Sequence, residues 1–289
     1  MSNGKPALSA ALSAFVVLMI SSMGSGTEQS AYARKKPGIS MDEIEARVKN
    51  HPKDPLAYCD RALAYMDGGE GELAMQDYNT ALKLKPNFAR ALLGRAAVSM
   101  MFEKFDSALS DVDKALAQND KVLEPDILEK KLLILRNLKR LAECPPIYQK
   151  LLELRKAGRT DFTADELYLA RAEIYVELKK PELALKDLDA ITKVTVRERY
   201  QRALAYTQAC KMIKKPEKAL VVCNEALSAA EKEPDKIGHT KRDKAVQALY
   251  QQRAEIYKKM GKQDLANKDL EKAKKFQLKI YDMIYEEVK

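Results

Sequence analysis

The sequence predicts an all-α fold, an α-solenoid in which antiparallel helix pairs stack on one another. Small residues recur at a period of 34, as two successive sets of alanines show: Ala62, Ala74 and Ala81, then Ala96, Ala108 and Ala115. Helix breakers are few, with 11 Gly and 11 Pro in 289 residues. Because neither helix of such a pair buries its apolar face alone, neighbouring pairs must stack into a continuous core.

Residues 55–88 carry the pattern most clearly. Tyr58, Tyr65 and Tyr78 stand among the alanines, and Pro86 closes the unit. With this period and this code of small and large residues, the chain resembles the tetratricopeptide-repeat (TPR) family, whose units are two antiparallel helices. The resemblance covers about 250 of the 289 residues and implies a right-handed superhelix.

The pattern divides residues 39–289 into a helical half-repeat, six helix pairs and a capping helix. The predicted segments are the half-repeat 40–52, the repeats 55–88, 89–122, 125–158, 165–198, 196–231 and 247–280, and the capping helix to residue 289. The third repeat is degenerate, because Leu132 and Cys144 replace small alanines, and we expect one continuous superhelix with a kink near 140–162. The fifth repeat is extended by about one helical turn in each helix.

Residues 1–38 have the layout of a secretory signal peptide. Lys5 precedes an apolar run at 7–20, and small polar residues follow it. The triplet 31–33 offers an A-x-A cleavage site, and a site within 22–26 competes with it. Fourteen helical residues span about 21 Å, short of a hydrocarbon core of about 30 Å. The sequence therefore predicts export to a periplasmic or extracellular compartment. The alternatives are an uncleaved membrane anchor, which would make the chain a membrane-anchored adaptor subunit, and a cytosolic disordered tail.

The net charge of +9 admits an acidic partner, a nucleic acid, or no role beyond solubility. Lys and Arg are mostly interleaved with Asp and Glu, which is typical of solvated helix faces. Residues 241–279 are rich in lysine, so nucleic-acid binding by a basic C-terminal face is an alternative function. Acidic residues interrupt that face and no stacking aromatics line it, which argues against nucleic acid as the partner.

The sequence shows no catalytic constellation. Its two histidines, His51 and His239, fall in predicted loops, and no phosphate loop, nucleophile elbow or dinucleotide motif is present. The four cysteines are scattered without a Cys-x-x-Cys motif. We therefore predict no enzyme activity, no cofactor and no metal site. The spacing of Cys210 and Cys223 allows a disulfide across one hairpin in an oxidising compartment, as the alternative to two free thiols.

Four repeats place an Arg before the first alanine and an Asp 16 residues later: Arg61/Asp77, Arg95/Asp111, Arg171/Asp187 and Arg253/Asp269. Because the partners recur together within one chain, we interpret them as ion pairs between the two helices of a hairpin, with ligand-clamping arginines as the alternative. The third repeat has neither residue, and the fifth keeps Arg202 but has Val222 in the Asp place.

The family resemblance implies a concave groove, lined by the first helix of each pair, that binds a peptide or helix of a partner protein. The groove residues predicted by pattern are Leu56, Leu63, Met66, Arg90, Leu93, Met100, Met101, Leu169, Glu173 and Tyr200. The N-terminal half is apolar and Met-rich, which suits an adaptable hydrophobic partner. The alternative is that these side chains pack against neighbouring helices, since periodicity does not separate groove from core.

Some TPR proteins clamp the C-terminal carboxylate of chaperones with paired Lys and Asn residues. Leu63 and Gly94 stand in the places of those asparagines here, which argues against that activity. The sequence thus predicts a non-catalytic scaffold that binds another protein, is exported, and meets a membrane only through an uncleaved N-terminus.

Overall fold

The fold is known from a computed structural model that describes residues 40–232 and 239–286. This part of the chain is all-α, with 13 α-helices, one 3₁₀ turn and no strand. The predicted leader, residues 1–38, lies outside the described residues. The helices are α1 (Met41–Asn50), α2 (Pro55–Asp67), α3 (Gly71–Leu84), α4 (Ala89–Met101), α5 (Phe105–Leu116), α6 (Glu124–Asn137), α7 (Cys144–Lys156), α8 (Ala164–Glu177), α9 (Pro181–Ala190), α10 (Val196–Met212), α11 (Pro216–Lys232), α12 (His239–Lys259) and α13 (Gln263–Glu286).

The helices pair into six hairpins, which confirms the predicted α-solenoid class. Hairpin one is α2/α3, hairpin two α4/α5, hairpin three α6/α7, hairpin four α8/α9, hairpin five α10/α11 and hairpin six α12/α13. Helix α1 packs on α2 and begins at a capping box, in which Ser40 and Glu43 satisfy each other's backbone N–H groups. Within each hairpin we refer to the first helix and the second helix in chain order.

The chain divides into two compact units. Unit 1 ends at Phe162 and contains α1 to α7, and unit 2 begins at Thr163 and contains α8 to α13. In unit 2, the first helices α8, α10 and α12 contact one another in succession. In unit 1, α2 contacts α4, but no comparable contact joins α4 to α6 among the described helices. This gap coincides with the degenerate third repeat, where the larger Leu132 replaces an alanine. The single kinked superhelix stays a prediction.

Each hairpin turns through one residue with a left-handed backbone. These residues are Gly69, Glu103, Lys139, Lys179, Lys214 and Gly261, with φ between 54° and 80°. The next residue donates its N–H back to the first helix, as when Lys180 N bonds Tyr175 O at 2.8 Å. This is the Schellman bond that ends many helices. Only two of the six positions have glycine, although a left-handed backbone costs other residues about 1–2 kcal/mol.

The alanines of the repeat form the closest contacts of the core. The six alanines that set the 34-residue period are 0% exposed. Their small side chains let neighbouring helices approach, and larger residues fill the space between them, such as Tyr78 and Leu92 at 0% and 1% exposure. In the described part of the chain, no helix is both long enough and apolar enough to cross a lipid bilayer.

Candidate functional site

Four hairpins are closed by the predicted pairs of arginine and aspartate. In each, the arginine Nε and Nη2 donate to the two carboxylate oxygens at 2.7–2.8 Å. The aspartate side chains are only 5–7% exposed and the arginines 11–26%. A bidentate pair with this burial fixes the two helices relative to each other. The structural interpretation of these arginines is therefore confirmed.

Tyrosine rings flank three of the four arginines, one ring three residues earlier and one four residues later. The Arg171 guanidinium lies 5.7 Å from the ring centre of Tyr168 and 6.0 Å from that of Tyr175. Arg61 and Arg253 have the same arrangement. The hydrogen bonds to Asp187 are the main cause of the raised pKa of Arg171. A carboxylate and two rings already contact each of these three guanidinium groups. The arginines are therefore poor candidates for binding a ligand.

A second polar contact joins each hairpin to the next within a unit. It starts from the residue two positions after the aspartate position and ends at the arginine position of the following hairpin. Arg95 donates to Asn79 Oδ1 at 2.8 Å, Lys131 bonds Asp113 at 2.7 Å, and Arg253 donates to Asn224 Oδ1 at 2.7 Å. Sequence reasoning missed these bridges, although a polar residue recurs at the starting position.

At the junction between hairpins four and five, the same two positions hold Asp189 and Tyr206. Burial first, and then the charge of Asp189 and a hydrogen bond to it, raise the pKa of Tyr206 to about 12. The junction therefore follows the same geometric rule with a phenol in place of a guanidinium. All four junctions between successive hairpins inside the two units therefore have a polar contact between these two positions.

Hairpin five corrects the predicted register. In the other paired hairpins the arginine lies eight residues before the left-handed turn residue and the aspartate eight after it. Counted from Lys214, these places belong to Tyr206 and Val222, so Arg202 does not stand in the arginine position. Arg202 lies one turn further from the loop and donates to Leu188 O at 3.2 Å. The prediction was wrong because the local sequence Arg202-Ala203 imitates the repeat, whereas the fully buried Thr207 takes the place of the alanine.

Both helices of hairpin five have 17 residues, against 14 and 10 in hairpin four. The separation between the two pair positions is nevertheless unchanged, because Tyr206 and Val222 are 16 residues apart. The additional residues therefore lie at the ends of the helices that are remote from the turn.

The predicted groove residues fall into two classes of exposure. Four belong to the packed interior, with Leu93 at 0%, Tyr200 at 1%, Leu169 at 6% and Met100 at 7% exposure. The other six are half-buried: Leu56, Leu63, Met66, Arg90, Met101 and Glu173. Met66 is partly held inside its hairpin, because its sulfur accepts a hydrogen bond from the Tyr78 hydroxyl at 3.6 Å.

We define the first-helix face of unit 1 by half-buried apolar side chains on the adjoining helices α2 and α4: Leu56, Leu63, Met66, Ala97 and Met101. Leu56 and Leu63 are seven residues apart, so they lie on one side of α2. Three charged side chains adjoin this face. Arg47 donates to Asp60 at 2.6 Å, and Arg90 lies 3.7 Å from the same carboxylate.

Two of the three first helices of unit 2, α8 and α10, are polar at the same positions. Counted back from the turn residue, the places of Leu56 and Leu63 are taken by Glu166 and Glu173 in α8. In α10 the same places hold glutamines, Gln201 and Gln208. The third first helix of unit 2, α12, has Ala248 and Glu255 at these places, so a pair of leucines there is found only in α2 among the described first helices.

Reactive groups are few and enclosed. No group of three or more His, Cys, Asp or Glu side chains is arranged to hold a metal ion within residues 40–232 and 239–286. The four cysteines are buried and form no disulfide, so Cys210 and Cys223 remain thiols. Burial raises the pKa of Cys59 to about 12 and that of Cys210 to about 11, which makes both weak nucleophiles.

A family model of the tetratricopeptide repeat matches residues 56–88 and 247–279, one segment in each unit. Among curated proteins, the chain is 25% identical to human (Homo sapiens) DnaJ homolog subfamily C member 3, over 54% of this chain and 32% of that protein. It is 28% identical to Hsp70-Hsp90 organizing protein 2 of Arabidopsis thaliana, over 46% of this chain and 20% of the relative. The chain thus spans about a third or less of the length of these relatives.

Solved structures share the fold. The C-terminal part of a TPR repeat-containing protein from Cytophaga hutchinsonii matches with a TM-score of 0.61 at 13% identity, over 89% of this chain and 93% of that one. YrrB, described as a TPR protein with an unusual peptide-binding site, matches with a TM-score of 0.57 at 19% identity, over 67% and 95%. Together with the six hairpins, these likenesses show that the chain has the fold of tetratricopeptide-repeat proteins, and two of its segments match the model of that repeat.

Proposed function

We propose that this chain is a non-catalytic scaffold that binds a peptide or helix of a partner protein on the first-helix face of unit 1. The observation that carries the proposal is the set of half-buried leucines and methionines on α2 and α4. These side chains are anchored in the hairpins yet keep accessible surface. Flexible Met and Leu side chains adapt to an apolar helix or extended segment, which is a common mode of peptide recognition.

The relatives support the general class of this proposal. Two of them are named for their relation to chaperones, and YrrB is described as having a peptide-binding site. A clamp for a chaperone C-terminal carboxylate is not part of the proposal, because Leu63 and the buried Gly94 stand where that clamp needs asparagines. The partner segment is instead expected to contribute apolar side chains.

We also propose that the scaffold works after export to the cell envelope. The support is the sequence of residues 1–38, in which a basic start, an apolar run and small residues follow in order. Mass spectrometry of the protein from fractionated native cells tests this. We expect loss of the leader by cleavage within 22–33, whereas an intact N-terminus on a membrane-bound protein would favour the anchored adaptor.

Two pairs of substitutions test the binding face. Leu63→Glu with Met101→Glu places charge on the first-helix face of unit 1. Leu73→Glu with Leu183→Glu makes the same chemical change on second helices, where these leucines are 39% and 42% exposed. We expect the first pair to abolish the association of the full-length protein with its partners in native cells, and the second pair to preserve it.

Circular dichroism must show the same helical content in both variants, so that loss of binding is not loss of fold. Retention of the same partners by both variants would contradict the proposal.

A further inference from the structure

The second helix of the sixth hairpin carries a row of exposed lysines. Lys268, Lys272 and Lys275 occupy positions i, i+4 and i+7 of α13, so they lie on one side of the helix. All three are exposed, and the first and third are separated by about 10 Å along the helix axis. The sequence continues the spacing at Lys279. We call Lys268, Lys272 and Lys275 the lysine stripe.

Three acidic side chains of the sixth hairpin are paired with other cations, and the exposed Asp264, one turn before Lys268, is not among them. Asp269 binds Arg253, Glu255 binds Lys211, and Glu271 lies 3.4 Å from Lys274. Only Lys272 of the stripe has an acidic partner, Glu231 of α11, at 2.8 Å. Within the described residues, Lys268 and Lys275 make no ion pair. The stripe thus retains positive charge that an external anion can neutralise.

We propose that the lysine stripe docks an acidic segment of a partner polypeptide. Carboxylates repeated at i, i+4 and i+7 on a helix match the spacing of the stripe. Leu265 and Leu278 flank it at 41% and 65% exposure and supply apolar contacts of the kind that polypeptide interfaces use. This surface is separate from the first-helix face of unit 1, so the scaffold has a second, electrostatic docking surface.

The surroundings favour a polypeptide over a single-stranded nucleic acid. The rings of Tyr250 and Phe276 stack on each other at 5.9 Å, and Tyr257 lies beside Arg253, so no described ring of this hairpin offers a platform for an unpaired base.

The test measures binding of the full-length protein to a fluorescent 20-residue peptide with Glu at i, i+4 and i+7 in an alanine background. A peptide with Gln at these positions is the probe control. The double variant Lys268→Glu/Lys275→Glu is compared with Lys83→Glu/Lys186→Glu, which makes the same charge change at exposed positions of α3 and α9. Binding is measured by fluorescence anisotropy at about 50 mM salt, because this low ionic strength limits the screening of the charges.

We expect the wild-type protein to bind the Glu peptide and not the Gln peptide. The stripe variant should bind it at least about tenfold more weakly, and the control variant within about twofold of wild type. No binding to the Glu peptide, or equal loss in both variants, would overturn the proposal. Tighter, stripe-dependent binding to phosphatidylserine vesicles or to a single-stranded oligonucleotide would overturn it in favour of a membrane or a nucleic acid.

Discussion

Arg171 and Asp187 join the two helices of hairpin four through two parallel hydrogen bonds of 2.7 and 2.8 Å. Their side chains are 11% and 6% exposed, and Tyr168 and Tyr175 enclose the guanidinium on both sides. The paired hydrogen bonds recur in three further hairpins, and the two flanking rings recur in two of these. A charged pair at this depth sets the register of a hairpin, because sliding one helix by a turn would leave both charges buried without partners.

Removal of one partner tests this role. Asp187→Ala leaves Arg171 enclosed without a counter-charge, so we expect a loss of about 3 kcal/mol in the free energy of unfolding. Asp77→Ala should cost about half as much, since Arg61 is 23% exposed and water can reach it. Urea unfolding followed by circular dichroism measures both, with the exposed Glu182→Ala as control. Equal losses in the control and in Asp187→Ala would contradict the account.

The register of hairpin five makes a separate prediction. If Tyr206 and Val222 occupy the pair positions, the double variant Tyr206→Arg/Val222→Asp creates a new pair. We expect the double variant to be more stable than the sum of the single effects predicts, with a favourable coupling of about 1–2 kcal/mol. Thermal unfolding of the four members of this cycle measures it. Additive effects would show that Arg202 is the true counterpart of the other arginines.

The turn residues predict opposite effects of glycine in different hairpins. Lys179 has φ 56°, so Lys179→Gly should stabilise the protein by about 0.5–1 kcal/mol by removing backbone strain. Gly261→Lys should cost a similar amount, since Lys214 shows that the fold accepts lysine at this place. No atom lies within 4 Å of a Cβ added to Gly261, so the cost is conformational alone. Melting temperatures check both, and a shift of the same sign in both variants would refute the reasoning.

The buried thiols predict a stability loss at high pH. The pKa of Cys59 rises from 9.0 to about 12 in the folded state. Below pH 9 the thiol is protonated in both states, so it adds no pH dependence. Between pH 9 and about 12 only the unfolded state loses the proton, and stability therefore falls as pH rises. Cys59→Ala should weaken this dependence in denaturant unfolding measured across that range.

The same burial should protect all four thiols from a thiol-specific reagent at pH 8 until the protein unfolds. Rapid labelling of native Cys59 would contradict its placement in the core.

Much of the fold could be predicted because two kinds of signal recur within one chain. Ala62 and Ala96 mark equivalent close contacts, and Arg61 and Asp77 reappear together at the same spacing in later repeats. A pair that recurs as a unit indicates contact, since independent surface residues have no reason to keep a constant separation. This is why the four ion pairs were predictable without coordinates.

Other features of the structure have no recurring signal in the sequence. Glu103 and Lys179 adopt a left-handed backbone, and nothing in their residue type indicates it. The sequence assigns Arg202 to the arginine position because Arg202-Ala203 matches the repeat locally. The pair positions are instead set by their distance from the turn residue, Lys214, which assigns the arginine position to Tyr206. Leu93 and Leu63 share helical periodicity, yet one is fully buried and the other half-buried. Exposure at such positions depends on the neighbouring helix, and periodicity does not report it.

The central claim, that the first-helix face of unit 1 binds another protein, is tested most directly by site-specific photo-cross-linking in native cells. A cross-linkable residue replaces Leu63 or Met101, and the control carries it at the exposed Lys83 of α3. The account predicts a discrete adduct from Leu63 and from Met101, with none from Lys83. Absence of adducts from both face positions, or equal labelling from Lys83, would contradict it.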